Sequence, residues 1–218
     1  MSGREDESAA EAAAALAGVV VSRETRDRLV TYVDLLRRWN PSKNLVAPAT
    51  LASVWTRHIA DCLQLVTLVP EAKIWVDLGS GGGLPGLIAA AVLAERPGAQ
   101  VHCVESKLGK AAFLREAARV MRVPVTVHAA RIEDVVGGWR GPVDVVSARA
   151  LAPLADLVRM SQDLLKSGAV GLFPKGQDVG RELTEAAKYW TLDTVLTPSA
   201  TDPQARIVTL RGAAPVPS

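Results

Sequence analysis

The chain has 218 residues, 49% hydrophobic and 22% charged, with a formal net charge of +2 and a pI of about 8.7. That is enough for one domain with a sizeable core, and the weakly basic balance does not by itself argue for nucleic acid. Two cysteines without a secretory signal exclude a disulfide framework and a structural zinc site, the three histidines lack ligand spacing, and no run of about 18 apolar residues offers a membrane span, so no metal, no membrane and a cytoplasmic protein are expected.

Residues 1–70 read as a helical N-terminal extension. The opening "MSGREDESAAEAAAALAG" is expected to fray or to form a short alanine-rich helix. "ETRDRLVTYVDLLRRW" places Leu29, Val33 and Leu36 on one helical stripe, with Leu35 and Trp39 one position round. "NPSKNLVAP" reads as a loop with two prolines. "PATLASVWTRHIADCLQLVTLV" reads as a second helix, with Pro48 and Thr50 as start signals.

Residues 71–212 then alternate. "KIWVDLG", "QVHCVES", "VPVTVHAARIED", "GPVDVVSARA" and "GAVGLFPKG" read as strands. Helices are predicted over "LPGLIAAAVLAERPG", "LGKAAFLREAARVMR" and around 153–165 and 178–189. "TLDTVLTP" and "ARIVTLR" close the chain as two strands with no helix between them. Strand–helix alternation predicts a mostly parallel sheet covered on both faces, and the closing pair predicts an antiparallel hairpin. Residues 213–218 are expected to be a disordered tail.

The most concentrated signal is "VDLGSGGGLPG" at 76–86, where an apolar strand ends and a helix begins. Gly81, Gly83 and Gly86 satisfy G-x-G-x-x-G. The loop lies where a doubly wound sheet binds ligands, and the helix N-terminus offers free amides to an anion. A dinucleotide and S-adenosylmethionine both suit such a cradle. Asp77 favours the second: a carboxylate there balances an aminoacyl group, directly or through water, and repels a pyrophosphate. Glu105 ends the next strand, 19 residues after Gly86, where it holds ribose hydroxyls in either class.

Taken together with "WNPSKNLV" (39–46), "RHIADCL" (57–63), "VES" and "KAAFL" (104–106, 110–114), "RIED" (131–134), "SARA" (147–150) and "PKG" (174–176), the loop supports a resemblance. The chain resembles the glucose-inhibited division protein B family of bacterial small-subunit rRNA guanine-N7 methyltransferases, over roughly residues 20–210. The resemblance implies a Rossmann-like class I methyltransferase: α/β, with a mostly parallel seven-stranded sheet, a C-terminal antiparallel strand and an N-terminal helical extension. It implies S-adenosylmethionine as cofactor and transfer to N7 of one guanine of 16S rRNA near the decoding centre, within the small ribosomal subunit, by a monomer. Two departures stand out. Ala148 precedes Arg149 where many members have serine, and "DPQAR" replaces the usual Gly-Glu-Arg before the last strand.

Guanine N7 carries an in-plane lone pair and no proton, so its methylation needs alignment rather than a general base. Arginine suits the acceptor, because its fork reads guanine O6 and phosphate. The candidates at strand ends are Arg131, Arg149, Arg206 and Lys175, with Arg149 facing the transferred methyl. Asp77, Gly79, Ser80, Gly81, Gly83, Leu84, Glu105 and Ser106 are the cofactor candidates, together with Ile132 and Glu133 beside the adenine, and Arg149 again. Asn44 and His58 are candidates for the target side or for structural hydrogen bonds, and Trp39 and Trp55 are read as core. The competing readings are a dinucleotide-dependent oxidoreductase on the same sheet and a non-catalytic nucleotide- or RNA-binding module.

Overall fold

A computed structural model describes Ala12, Leu16 and residues 21–217. The expected alanine-rich opening therefore lies largely outside the described residues. Helix α1 spans Arg23–Lys43, and the Ser22 side chain caps it by accepting from the Thr25 amide at 2.9 Å. It ends at Asn44, in the left-handed conformation (φ 47°), whose amide returns to the Asn40 carbonyl. The helix runs through Pro41, where the sequence suggested a loop from residue 40. Pro41 forfeits one helical hydrogen bond, while the buried Asn40 carboxamide accepts from the Leu45 and Val46 amides, both at 2.9 Å, and fixes the exit.

The second predicted helix is irregular. A 3-10 turn covers Pro48–Ser53, a π-helical turn covers Trp55–Ala60, and α2 covers Asp61–Thr67.

The sheet strands are β1 Ile74–Leu78, β2 Gln100–Val104, β3 Val125–His128, β4 Val145–Ser147, β5 Val170–Lys175, β6 Trp190–Pro198 and β7 Arg206–Pro215. The helices between them are α3 Gly86–Leu93, α4 Leu108–Met121, α5 Ile132–Gly137, α6 Leu154–Lys166 and α7 Val179–Ala186. The strand order is β3-β2-β1-β4-β5-β7-β6. The first five strands are parallel, and β7 inserts antiparallel between β5 and β6. The mostly parallel seven-stranded sheet with an antiparallel closing strand thus stands as expected.

Two boundaries differ from the sequence reading. "RIED" opens helix α5 rather than ending β3. The last strand runs to Pro215, with Ala213, Ala214 and Pro215 opposite Leu192, Thr191 and Trp190, so half of the expected tail is paired. Gly-Ala-Ala-Pro has weak strand propensity, and the long β6 supplies the partner that holds it.

Alternation along the strands divides the core. Trp75, Cys103, Val145, Leu172 and Ile207 join one cluster with the buried faces of α1 to α4. Val76, Leu78, Val104, Val146, Phe173 and Val208 join the other, with α5 to α7. The extension helices have no core of their own: Leu29, Tyr32 and Leu36 are fully buried in the same layer as Leu87 and Phe113. Each fully buried side chain of this size contributes about 1.5–3 kcal/mol, which fixes α1 over the glycine-loop side of the sheet. Among the described residues, no helix is long and apolar enough to cross a membrane.

Candidate active site

The glycine loop is built around Asp77. In-register neighbours Cys103 and Ser147 flank Asp77 on β2 and β4. The Trp75 indole donates to Ser147 Oγ at 2.8 Å, and Ser147 Oγ donates to Asp77 Oδ1 at 2.7 Å. Asp77 Oδ2 accepts from the Gly86 amide at 3.2 Å, which fastens the start of α3 to β1. A Cβ on Gly86 would stand 2.8 Å from Asp77 Oδ2 and 2.9 Å from Cys103 Sγ, so only glycine fits there. Asp77 is completely buried, and burial pushes its pKa up to about 6 against the opposing hydrogen bonds from serine and the Gly86 amide. The structure thus gives Asp77 a loop-holding role: its oxygens are engaged below the loop, and it is not on the walls of the cavities above it.

Three cavities meet above the carboxyl ends of the strands. The first, about 390 Å³, is lined by Gly79, Gly81, Glu105, Ser106, Lys110, Arg131, Ile132 and Glu133, among others. Six of the residues expected at the cofactor are therefore brought together here: the two glycines, Glu105, Ser106, Ile132 and Glu133. Glu105 Oε2 accepts from the Gly81 amide at 3.0 Å, and Oε1 accepts from the Lys107 amide at 2.8 Å. The carboxylate thus ties the loop to the start of α4 at the cavity wall. Arg131, a candidate for the acceptor, lies on this side instead, exposed and 4.0 Å from Glu133.

The second cavity, about 310 Å³, runs under Leu45, Thr50 and His58 and is bounded by Gly79, Ser80, Gly81, Leu84 and Arg149. The Tyr32 hydroxyl donates to the Gly82 carbonyl at 2.7 Å, and the Leu45 carbonyl lies 3.2 Å from where a Gly82 Cβ would be. The extension therefore shapes the loop directly. Gly83 (φ +85°) is not on the walls of these two cavities; a Cβ there would collide with the Leu87 side chain.

The third cavity is the largest, about 770 Å³, and holds Arg57, Asp61, Arg149, Lys175, Glu182 and Arg206. Lys175 Nζ donates to the Ala152 carbonyl and pairs with Glu182 Oε2, both at 2.7 Å, while Glu182 Oε2 also accepts from the Leu154 amide. This pair holds the segment after β4. Arg206 donates to the Pro203 and Ala205 carbonyls at 2.8 and 2.7 Å, so the "DPQAR" segment itself holds the side chain.

Arg149 and Ala150 line both the second and the third cavity, and Ala150 lines the first as well, with a left-handed backbone (φ 52°). The guanidinium is spent largely on the extension. Its Nε faces Asp61 Oδ2 at 3.6 Å, Nη1 donates to Cys62 Sγ at 3.5 Å, and Nη2 donates to the Arg57 carbonyl at 3.2 Å and to His58 Nδ1 at 2.8 Å. Only one Nη1 N–H keeps no partner among the described residues. Arginine has no acceptor, so His58 Nδ1 accepts and Nε2–H donates to Thr50 Oγ1 at 2.8 Å. Burial, with the charges of Arg149 and Arg57, lowers the His58 pKa to about 4 and keeps that acceptor available. The fork expected to read guanine thus reads the extension first.

Asn44 is a helix cap and lines no cavity. Trp39 packs edge-on against Phe113 at 5.8 Å and Trp55 is buried, as read. The sequence reading missed Tyr32, Asn40, Arg57, Asp61, Lys110 and Glu182. Asp61 and Arg57 lie inside the motif "RHIADCL" and were the most accessible of these.

A sheet of this order, with an antiparallel seventh strand, a glycine loop after β1 and an acidic residue after β2, defines a class I methyltransferase. Solved structures share the fold. The O-methyltransferase TomG from Streptomyces achromogenes, in complex with SAM, matches with a TM-score of 0.59 and 16% identity over 90% of this chain and 93% of that one. The O-methyltransferase from Bacillus cereus, in complex with SAH, matches with a TM-score of 0.59 and 14% identity over 90% and 94%. The family model for rRNA small subunit methyltransferase G (GidB) matches residues 25–208, and the chain belongs to this family. It is 57% identical to the ribosomal RNA small subunit methyltransferase G of Bradyrhizobium sp. strain BTAi1 over 202 residues, 93% of this chain and 91% of that protein. It is 58% identical to the protein of that name from Methylorubrum populi over 188 residues, 86% and 89% of the two chains.

Proposed function

We propose that the chain transfers a methyl group from S-adenosylmethionine to N7 of a guanine of 16S rRNA, near the decoding centre of the small ribosomal subunit. The observation that carries this reading is the junction at Arg149–Ala150, where the glycine-loop cavities meet a larger cavity lined by arginine and lysine. The donor set fits S-adenosylmethionine. Gly79 and Gly81 present backbone at positive φ (64° and 52°) on the wall of the cavity where Glu105, after β2, would hold the ribose hydroxyls. Ile132 and Glu133 line the same cavity and would flank the adenine, and Lys110, on the wall of both cavities, would meet the carboxylate.

When bound, the cofactor supplies an electrophilic methyl group. The protein's part is placement. Arg149, Arg206 and Lys175 line the larger cavity, where they would bring positive charge to the acceptor's O6 and phosphates. No side chain need remove a proton, because N7 has none. Mapping N7-methylguanine in 16S rRNA by mass spectrometry, from cells with and without the gene, tests the reading. A methylation pattern that does not change on deletion overturns it. A thermal shift with adenosylmethionine but not NAD separates it from the oxidoreductase reading.

A further inference from the structure

Asp61 opens α2 with its side chain only 16% exposed, at the floor of the largest cavity. Its two oxygens serve different segments. Oδ2 faces Arg149 Nε at 3.6 Å. Oδ1 accepts from Gln64 Nε2 at 2.9 Å, from Thr201 Oγ1 at 2.8 Å and, more distantly, from Ser199 Oγ at 3.5 Å. Gln64 extends the tie, donating to Ser199 Oγ at 3.1 Å and accepting from the Ala200 amide at 2.9 Å. Residues 199–205 connect β6 to β7 and supply Ser199, Thr201, Asp202 and Ala205 to the cavity wall facing Arg149. One carboxylate of the extension therefore holds both walls of the cleft, through residues 88 and 140 positions away in sequence.

We infer that Asp61 is a positioning residue for the acceptor: one oxygen aims Arg149 and the other sets the width of the cleft by tethering the 199–205 loop. This rests on the reading of the large cavity as the acceptor cleft. Arg149 is half of the device. Released from Asp61, the guanidinium keeps its Nη contacts to Cys62, His58 and the Arg57 carbonyl but loses the Nε partner that fixes its tilt at the junction between the two cavities. The loop is the other half. Its own closing bonds, Ser199 amide to Ala205 carbonyl and Ala205 amide to Asp202 carbonyl, both 3.1 Å, shape it but do not attach it to α2. Only Asp61 and Gln64 attach it there among the hydrogen bonds described.

The two halves separate by mutation. In Asp61→Asn the Gln64 carboxamide is fixed by the Ala200 amide, so the new carbonyl stays on the Gln64–Thr201 side. The new amide then faces Arg149 Nε, donor against donor. The double variant Ser199→Ala/Thr201→Val instead removes the loop's side-chain ties to Asp61 and Gln64, leaving the Ala200 amide on Gln64, and keeps Asp61 against Arg149. The readout is single-turnover and steady-state transfer of labelled methyl to small subunits lacking the modification, with cofactor affinity by titration calorimetry. Wild-type transfer in the same assay establishes the underlying reading, and its absence would refute that reading rather than this inference. With wild-type transfer present, Asp61→Asn is expected to lower the single-turnover rate by about tenfold with KM for subunits little changed. Ser199→Ala/Thr201→Val is expected to raise that KM by about fivefold with the rate retained. Both should keep cofactor affinity within about twofold of wild type. A merely structural role would lower melting temperature and cofactor affinity together and leave no split between rate and KM. That result, or transfer kinetics like wild type in both variants, overturns the inference.

Discussion

Tyr32, from the middle of α1, donates its hydroxyl to the Gly82 carbonyl across 50 positions of sequence, and both groups are buried. The cofactor loop is therefore supported by a helix that lies outside the sheet. Tyr32→Phe keeps the ring packing, including the edge-on contact with Phe113, and leaves the Gly82 carbonyl unpaired. It is expected to cost about 1–3 kcal/mol of stability and to weaken adenosylmethionine binding severalfold, although Tyr32 lines no cavity. Denaturant melts and titration calorimetry check both parts. Unchanged binding would detach α1 from the cofactor site.

Arg149 is expected to show a mixed phenotype. Arg149→Ala should reduce methyl transfer by about 100-fold or more, with cofactor affinity within about threefold. It should also lower the melting temperature, since Asp61 and His58 lose their partner. Arg149→Lys should rescue poorly, because one ammonium cannot reach Asp61, His58 and the Arg57 carbonyl together. Full rescue by lysine would show that charge alone matters.

Glu105→Ala removes the acceptor shared by the Gly81 and Lys107 amides and, on the proposed reading, the carboxylate that holds the ribose. Adenosylmethionine affinity should fall by about 30- to 150-fold, equivalent to about 2–3 kcal/mol. Calorimetry decides, and equal affinity would take Glu105 out of the site.

Asp77 makes a pH signature. Its pKa is raised from 3.8 to about 6, so the native state holds the proton more tightly than the unfolded chain does. Its stabilising contribution is therefore full below about pH 4 and is lost as pH rises through about 6, on the order of 3 kcal/mol in all. Asp77→Asn does not titrate. The stability of wild type relative to the variant should decline across that window, as followed by urea unfolding at several pH values. Parallel curves would mean that the carboxyl is ionised throughout.

Much of this was legible from short-range pattern. The alternation of strands and helices, the closing hairpin and the cluster from Asp77 to Gly86 each carry their meaning within about a dozen residues. The gathering of residues around the first cavity was legible for the same reason, because Gly79, Gly81 and Glu105 sit at strand ends whose position follows from topology. The roles of Asp77 and Arg149 were not. Whether a carboxylate points at a ligand or beneath a loop depends on Ser147 and Gly86, and whether a guanidinium is available depends on Asp61 and His58, 88 and 91 positions away. The helical passage through Pro41 was equally hidden, since the compensating bonds come from the side chain of Asn40.

The placement of β7 has a consequence for synthesis. The last strand to be made does not end the sheet but enters it, between β5 and β6, and brings Arg206 opposite Lys175. The glycine loop and its acidic partner draw only on strands up to β4. The larger cavity has no far wall until the final hairpin is threaded home. The glycine-loop cavity thus draws on residues no later than Met160, whereas the larger cavity is walled by residues as late as Ile207, so the two are encoded in successive stretches of the chain.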